Sequence, residues 1–541
     1  MIRYTPSSQL SLEGFETPFH QQLDASNRWV VLAKHIPWDK LAAIYYRNMR
    51  TDFGAPALSA RMVIGAVIIK HILNIDDREV VEQIRENMYL QYFVGLSSFQ
   101  TAAPFDASLM VSIRKRLGKD VMDQFNEEVL REAGVLPKAG GQTSKPPDNK
   151  ADDHEDDINR EDQNSRGNDQ ITKQSEAVSQ NEDKPQQPDD STPLSGTLLV
   201  DATVAEQQIE YPTDVKLLNE GREQLERMIE KVCEDLHIAR PRMYKHIARR
   251  QYLSIVKKKR KTKILLRRSI RQQLQYVKRD LGYINKLVEK HSPLFSLSKR
   301  DWHLIRVIAE LWRQQREMYR SRTHSIEDRI VSIYQPHVRP MPRGKDKAAT
   351  EFGSKQLVML KDGYTHVQSI GWDNFHEGSL LQQSVEAYKS FYGCYPEAVS
   401  ADRIFGSRTN RKYLKDKAIR FVGKALGRPA AASTRQDKAL QKEMAGRNAI
   451  EGKFGQGKNG YGLAKIKARL KDTAESWIMS IYFVMNLVKL ASQVSFWTFL
   501  RCICSLTQLY RQYIFDRASI DHKILTLPLM IPIKKAILRN R

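Results

Sequence analysis

The sequence predicts an α/β chain, α+β overall, in which a mixed sheet is combined with long helical segments. Two short apolar runs, TLLVD at residues 197–201 and AVSAD at residues 398–402, have the length of buried strands, and each ends in an acid. The block between them carries apolar residues at helical spacing, and so does most of the chain before residue 138. We therefore expect a helical N-terminal domain and then a mixed-sheet core that is divided by a long, basic helical insertion.

These changes in pattern divide the chain into six segments. They are 1–138, a helical domain with possible DNA binding; 139–195, a disordered acidic linker; 196–219, the first part of the sheet core; 220–345, the basic helical insertion; 346–495, the second part of the core; and 496–541, a helical and basic C-terminal tail. The linker is rich in Asp, Asn, Gln, Ser and Pro and holds few large apolar side chains. It cannot bury enough surface to offset its chain entropy, so we predict disorder.

The N-terminal segment has the pattern of several short helices, with Trp29 and Trp38 as apolar anchors. Asp76 and Glu79 have the spacing of a capping box at the start of one of these helices. A later helix would expose the basic run at residues 114–116. Such a helix fits a helix-turn-helix-like DNA binder and a plain packing domain equally well.

The formal net charge of +24 is unevenly distributed along the chain. Residues 139–195 hold 14 acids and 6 Lys or Arg, so this segment carries −8 and the remainder +32. A surplus of this size indicates a polyanionic partner, with nucleic acid favoured over an anionic membrane surface. Residues 240–279 contain 16 Lys or Arg and no acid. There we expect binding to the DNA backbone, in preference to a merely solvated face, by Lys257, Lys258, Lys259, Arg260 and Lys261.

Cysteine usage and hydropathy argue against a secreted or membrane protein. Four scattered cysteines are too few for a disulfide framework, which favours a reducing compartment. The first ten residues lack the apolar core of a signal peptide. The most apolar region, residues 477–504, is interrupted by Asn486, Lys489 and Arg501, which is typical of a buried helix pair.

The core and the insertion each have a distinct pattern. Within the insertion, apolar residues from Ile270 to Val288 alternate in steps of four and three, the spacing of a helix that pairs with another helix. In the core we predict a hairpin of strands 356–360 and 364–370 joined by a turn at 361–363, a helix at 379–392, a strand at 398–402, a helix at 407–417 and a last strand at 419–424.

The segment RNAIEGKFGQGK, residues 447–458, follows the last strand and places one acid between two cations. Arg447 lies four residues before Glu451, and Lys458 lies seven residues after it, so a helix would bring all three to roughly one face. Such a stripe can hold a divalent metal and grip phosphate oxygens. The alternative is an ordinary exposed ion pair with a basic neighbour. The three glycines of the segment disfavour a continuous helix through Lys458.

Three acids, each in its own motif, give the chain a resemblance to a known family. Asp201 in LLVDAT, Asp402 in VSADRIFGSRTN and Glu451 in RNAIEGKFGQGK resemble the triad of the DDE transposases of bacterial insertion sequences, and the nearest branch is the one called IS five. In the related IS four group a tyrosine, an arginine, the glutamate and a lysine follow one another at fixed spacing. Arg447, Glu451 and Lys458 match that spacing, whereas Met444 stands where the tyrosine would be.

The resemblance implies an RNase-H-like catalytic core in which Asp201, Asp402 and Glu451 are the catalytic residues and bind Mg²⁺, with Mn²⁺ able to substitute. Two such ions about 4 Å apart would activate the nucleophile and stabilise the leaving oxygen. Arg447, Lys458 and Arg403 would hold DNA phosphates. The implied partners are double-stranded DNA, as the terminal inverted repeats of the element and as target DNA, and a second copy of the chain on that DNA. The implied location is the bacterial cytoplasm, at the nucleoid, with no membrane partner.

Other functions remain open at the level of sequence. They are a DNA-binding regulator without catalysis, a nuclease of the same core that never joins DNA, and a basic coiled-coil scaffold. Four further acids compete for a place in the site, namely Asp214, Asp362, Asp373 and Glu377. Of these, Asp362 has the position of a turn residue, and Asp214 has the position of a helix cap.

Overall fold

The computed structural model describes residues 17, 22–47, 49, 57–137, 193–291, 297–345, 348–424, 441 and 443–493. The predicted acidic linker lies outside these residues except for its last three positions. The predicted C-terminal tail, and the end of the apolar region beyond residue 493, also lie outside the described residues.

The N-terminal domain is helical, as predicted. Its helices are α1 Arg28–His35, α2 Trp38–Tyr46, α3 Ala60–Leu73, α4 Asp77–Glu86, α5 Met88–Phe93, α6 Leu109–Arg116 and α7 Lys119–Glu132. Both predicted anchors are buried, and the rings of Trp29 and Trp38 meet Phe93 edge-on at 5.2 and 5.4 Å. The Asp76 carboxylate caps α4 by accepting from two backbone N–H groups of its first turn, which confirms the predicted helix start.

The basic run at the end of α6 is less exposed than the sequence indicates. Lys115 and Arg116 are exposed, but Arg114 is buried and its guanidinium lies 2.7 Å from the Asp77 carboxylate. The Arg114 guanidinium also lies over the Trp477 ring, 5.4 Å from its centroid. The prediction that α6 exposes all three cations was therefore wrong, because Arg114 joins the N-terminal domain to a helix of the core.

The sheet combines antiparallel and parallel strands. Its strands are β1 Thr197–Gln207, β2 Arg339–Lys345, β3 Ala348–Lys361, β4 Tyr364–Gly371, β5 Ala398–Ala401, β6 Arg420–Val422 and β7 Lys465–Ile466. β3 pairs antiparallel with β1 on one edge and with β2 and β4 on the other. β5 and β6 continue the sheet from β1 in parallel, so the central order is β4-β3-β1-β5-β6. This mixed sheet with its flanking helices is an α/β fold of the RNase-H-like type.

The predicted hairpin and its neighbours are confirmed. Asp362 and Gly363 form the two-residue turn between β3 and β4, with φ values of 51° and 76° that suit this hairpin. The helices α12 Leu381–Tyr392 and α13 Arg408–Asp416 lie where the sequence predicts them. β1 is longer than predicted, and β2 was not predicted at all. Gly353 in β3 allows a close approach, because a Cβ there would lie 2.0 Å from the carbonyl oxygen of Ala205 in β1.

The insertion forms a helical unit with an apolar core of its own. Its helices are α8 Asp214–Asp235, α9 Lys245–Val256, α10 Lys263–His291 and α11 Lys299–Ser321. The helices begin earlier than the predicted residue 220, and the sheet resumes at β2, before the predicted residue 346. The apolar stripe of α10 packs against α8 and α11 of the same chain, as its heptad spacing predicts for paired helices.

Two further helices complete the core. We call Asn448–Gly460 the Glu451 helix, and the described residues 471–493 the apolar helix. The apolar helix packs against the N-terminal domain, and one apolar cluster runs through both. Among the described residues, no helix is both long and apolar enough to cross a membrane.

Candidate active site

The parallel pairing of β1 with β5 places Asp201 and Asp402 side by side. The register ends at the pair Val200 and Ala401, and the acids are the next residue of each chain segment. β5 stops there, and the Asp402 carboxylate accepts a hydrogen bond of 2.7 Å from the backbone N–H of Arg403. β1 continues to Gln207, so Asp201 lies within its strand and not at the tip that the sequence predicts. The two acids are neighbours because each directly follows the last pair of the β1–β5 register, although β1 itself continues beyond that point.

The Glu451 helix brings the third acid to the same place. Glu451 lies in the first turn of this helix, four residues after Arg447, which holds the N-cap position. The Arg447 guanidinium lies 2.8 Å from the Glu451 carboxylate, 3.6 Å from that of Asp201 and 3.9 Å from that of Asp402. One guanidinium therefore contacts three carboxylates that are far apart in the sequence.

Burial differs strongly among the three acids. The Asp201 side chain is only 15% exposed, whereas those of Asp402 and Glu451 are 59% and 52% exposed. Burial raises the pKa of Asp201 to about 6, although the Ala202 N–H and the Arg447 guanidinium act in the opposite direction. The carboxylates of Glu377 and Asp402 add to the rise in the Asp201 pKa. Asp201 thus carries the charge that most needs a compensating cation.

Glu377 is the rival acid that the structure places beside the site. It begins a short 3-10 helix, Glu377–Leu380, and its carboxylate lies 2.7 Å from the Lys355 ammonium. No spacing in the sequence links it to the triad, since the helical insertion and the hairpin both separate it from Asp201. The other rivals lie elsewhere. Asp362 is in the β3–β4 turn, and the Asp373 carboxylate lies 3.5 Å from the Arg339 guanidinium.

Asp214 does not cap α8 as the sequence predicts. It is the first residue of that helix, and the preceding Thr213 holds the cap position. The Asp214 carboxylate instead accepts hydrogen bonds from the side chains of Gln315 and Arg329, at 2.9 and 2.8 Å. It therefore ties α8 to α11 and to the loop that follows α11.

A cavity of about 310 Å³ opens beside Asp402 and Arg447. Its lining includes the two cations Arg403 and Lys424 and the half-buried side chain of Met444. Met444 holds the position of the tyrosine in the related motif, and its thioether offers no hydroxyl group. Lys424 was not predicted as a site residue; the only signal for it in the sequence is its place at the end of the predicted strand 419–424.

Lys458 lies two turns after Glu451 on one continuous helix, and its side chain is half-buried. The expectation that the three glycines would break this helix was wrong. Gly457 is buried against Leu463 and Met485, where an added Cβ would come within 3.1 Å, so at this position packing favours glycine over helix propensity.

The basic run from Lys257 to Lys261 is exposed in the turn between α9 and α10, and none of its residues lines the cavity beside Asp402 and Arg447. The sequence did not single out the face of α9 that leads to it. That face lines a shallow groove of about 420 Å³ with three further basic side chains, His246, Arg249 and Arg250. Their steps of three and four along the helix are the signal that could have identified them.

Whether the acids suit a divalent metal can be judged from their chemistry. Carboxylate oxygens are the ligands that Mg²⁺ and Mn²⁺ prefer, and three carboxylates with one compensating cation among them form a site for positive charge. Among the described residues, no three His, Cys, Asp or Glu side chains already stand at the spacing of a metal cluster. The donor set therefore fits a metal in its chemistry. Its present arrangement is that of an ion-pair cluster, because the Arg447 guanidinium lies between the three carboxylates.

Two separate parts of the chain match known families. Residues 399–488 match a family described as a transposase DDE domain, and residues 17–116 match one described as a transposase domain (DUF772). The chain carries the domains of a DDE transposase. The DDE match contains Asp402, Arg447 and Glu451, and it leaves Asp201 outside.

A curated relative and the solved structures complete the comparison. A protein of Rhizobium meliloti, described as uncharacterized protein ORF8 in the nfe locus, is 38% identical to this transposase-domain chain over 114 residues. The match covers 20% of this chain and 53% of that protein, so the chain spans about half the length of its curated relative. No solved structure matches the chain.

Proposed function

We propose that this chain is a transposase that cleaves DNA at the ends of an insertion sequence of the IS five or IS four type. The same site would then join the freed 3′-hydroxyl ends to target DNA. The observation that carries the proposal is the meeting of Asp201, Asp402 and Glu451 around one guanidinium, in a chain whose residues 17–116 and 399–488 match transposase domains.

Asp201, Asp402 and Glu451 would hold Mg²⁺, with Mn²⁺ as a substitute. When bound, the metal activates the attacking oxygen and stabilises the leaving oxygen of the phosphodiester. Asp201 is the ligand with the strongest need for such a cation, because its side chain is only 15% exposed and its pKa is raised to about 6. The more exposed carboxylates of Asp402 and Glu451 would complete the ligand set from the solvent side.

Arg447 would exchange its carboxylate partners for the scissile phosphate. A guanidinium can grip two phosphate oxygens at once, and this one already lies beside all three acids. Arg403 and Lys424 line the adjoining cavity and would hold the neighbouring phosphates of the same strand. Lys458 would contact the strand further along the Glu451 helix.

The basic turn at residues 257–261 would hold the DNA backbone at a distance from the site. Its five cations are exposed, and they supply affinity without reading the base sequence. Because two DNA ends must be brought together, we propose that the chain acts as a homodimer on DNA at the bacterial nucleoid.

Cleavage of a defined DNA end tests the proposal. The substrate is a duplex with the inverted repeat that flanks the gene, incubated with the purified chain, Mg²⁺ or Mn²⁺ and a target plasmid. We expect a nick at the 3′ end of the element and joined products. Asp201→Asn, Asp402→Asn and Glu451→Gln should each lower the rate by about a hundredfold or more, because each removes several kcal/mol of transition-state stabilisation. Glu443→Gln, at an acid paired with Arg420 outside the triad, is the control.

Two results would replace the proposal with another function. Binding of the repeat without any cleavage would favour a DNA-binding regulator. Cleavage that yields only hydrolysed ends, under conditions where two ends are held together, would favour a nuclease that does not join DNA.

A further inference from the structure

The insertion contains a cavity of about 570 Å³ that none of the three acids lines. It lies between the start of α10 and the end of α11, with the first residue of α8 on its wall. α8 begins seven residues after β1 ends, so the cavity is at the junction of the insertion with the sheet core. Nothing in the proposed chemistry uses this space.

The floor of the cavity is apolar and partly aromatic. Leu266, Ile270 and Met318 form its apolar part. Beside them, the Arg267 guanidinium lies over the Tyr319 ring, 4.1 Å from its centroid. Tyrosine rings and guanidinium planes are the surfaces on which proteins stack unpaired bases.

The rim of the cavity is basic. Lys263, Arg322 and His324 are exposed and line its opening. Lys263 begins α10, where the positive end of the helix dipole favours an anion, although the N–H groups of Leu265 and Leu266 already bond to Thr262. This basic rim therefore suits the phosphate of a ligand.

A further part of the cavity lining is polar and held in place by hydrogen bonds. Asp214 and Gln315 form this part, and the Asp214 carboxylate accepts hydrogen bonds from Gln315 at 2.9 Å and from Arg329 at 2.8 Å. Carboxylate and amide side chains of this kind hydrogen-bond to the edges of bases. The cavity therefore combines a stacking surface, a phosphate side and a side suited to a base edge.

We propose that this cavity binds a nucleoside phosphate in the form of one unpaired nucleotide of a DNA strand. Lys263 follows the basic turn by two residues, so a backbone held at residues 257–261 would pass the opening of the cavity. The inference rests on the DNA-binding part of the proposed function and is independent of strand cleavage.

Duplexes that differ in one terminal nucleotide test this inference. The full chain is titrated, without divalent metal, against a blunt duplex, the same duplex with one unpaired 3′ deoxyadenosine, and the same duplex with an abasic 3′ nucleotide. The abasic duplex carries the same phosphate as the deoxyadenosine duplex, so it isolates the base. We expect the unpaired deoxyadenosine to tighten binding about tenfold, and the abasic nucleotide to give little of this gain.

Variants assign the gain to the cavity. Tyr319→Ala should remove the gain and leave affinity for the blunt duplex unchanged, while Tyr319→Phe should keep it. Tyr334→Ala, at an exposed tyrosine that does not line the cavity, is the matched control. Leu266→Trp fills the cavity from its floor and should also remove the gain, which covers the case in which Tyr319→Ala does not fold.

Three results would overturn the inference. Equal gains from the deoxyadenosine and abasic duplexes would show that only the phosphate is held. A gain that survives both Tyr319→Ala and Leu266→Trp would place the nucleotide elsewhere. Free dAMP that binds in the cavity more tightly than the unpaired strand end would make a free nucleotide the ligand. A chain that binds none of the duplexes would instead refute the DNA binding of the proposed function.

Discussion

At the scale of single residues, the site is governed by how three carboxylates share one cation. Arg447 contacts all three, at 2.8 to 3.9 Å, and so holds together charges that would otherwise repel. The arrangement is unequal, since the Asp201 side chain is largely buried and the other two are half-exposed or more. Without a metal, the free-energy cost of burying a negative charge in this site therefore falls mainly on Asp201.

Asp201→Asn should stabilise the metal-free protein at neutral pH. The folded-state pKa of Asp201 is about 6, above the ordinary value of 3.8. The folded protein therefore loses stability as pH rises from about 4 to 6 and this carboxyl group ionises. The shift corresponds to at most about 3 kcal/mol. We expect Asp201→Asn to raise the free energy of unfolding by 1 to 3 kcal/mol, in order of magnitude, at pH 7.5 and to change it little at pH 4.

Denaturant unfolding in EDTA at the two pH values measures this difference. Asp402→Asn serves as the matched control, because its carboxylate is 59% exposed and carries a much smaller cost of burial. A variant Asp201→Asn that is less stable than the native protein at pH 7.5 would mean that the Arg447 ion pair outweighs burial.

At the scale of the structural elements, the insertion and the sheet were predictable to different degrees. The steps of four and three in α10 predicted a paired helix, and short apolar runs predicted β5 and β6. The sequence could not give the register of β1 against β5, because apolar alternation defines the faces of a strand but not its partner. That register, ending at Val200 and Ala401, is what brings Asp201 and Asp402 together.

The basic turn between α9 and α10 gives the prediction that belongs to this scale. Replacing all five cations of residues 257–261 with Ala should weaken binding to every DNA sequence about equally. Each cation that contacts a phosphate contributes about 0.9 to the slope of log K against log salt, so the slope should fall by up to about 4 to 5. Fluorescence anisotropy across a salt series measures it.

The matched control removes Lys286 and Lys290, which are exposed near the opposite end of α10. This pair should leave both the affinity and the slope close to native values. Loss of specific recognition alone, with binding to unrelated DNA intact, would show that the turn reads sequence and that its assignment to the backbone was wrong.

At the scale of the whole molecule, the N-terminal domain and the core share one interior. The Asn486 side chain donates hydrogen bonds to Asn126 of α7 and to the Thr365 carbonyl of β4, both at 2.7 Å. In the sequence, Asn486 appears only as an interruption of an apolar run; in the structure it links three elements. Single-sequence patterns show that a side chain is buried but not what it is buried against, so this junction could not be predicted.

The junction also limits how the N-terminal domain can meet DNA. Arg114 and Lys70 are buried around the shared Asp77 carboxylate and lie over the Trp477 ring. In α6, this leaves Lys115 and Arg116 as the exposed cations. DNA binding by this domain and a purely structural role both stay predictions.

The central claim is that Asp201, Asp402 and Glu451 form a single metal site, and metal-directed cleavage of the polypeptide tests it most directly. Fe²⁺ loaded in place of Mg²⁺, with ascorbate and peroxide, cuts the backbone next to its ligands, and mass spectrometry maps the cuts. The account predicts cuts near all three acids, lost together in Asp201→Asn and suppressed by excess Mg²⁺. Cuts at one acid alone, or at positions remote from all three, would contradict it.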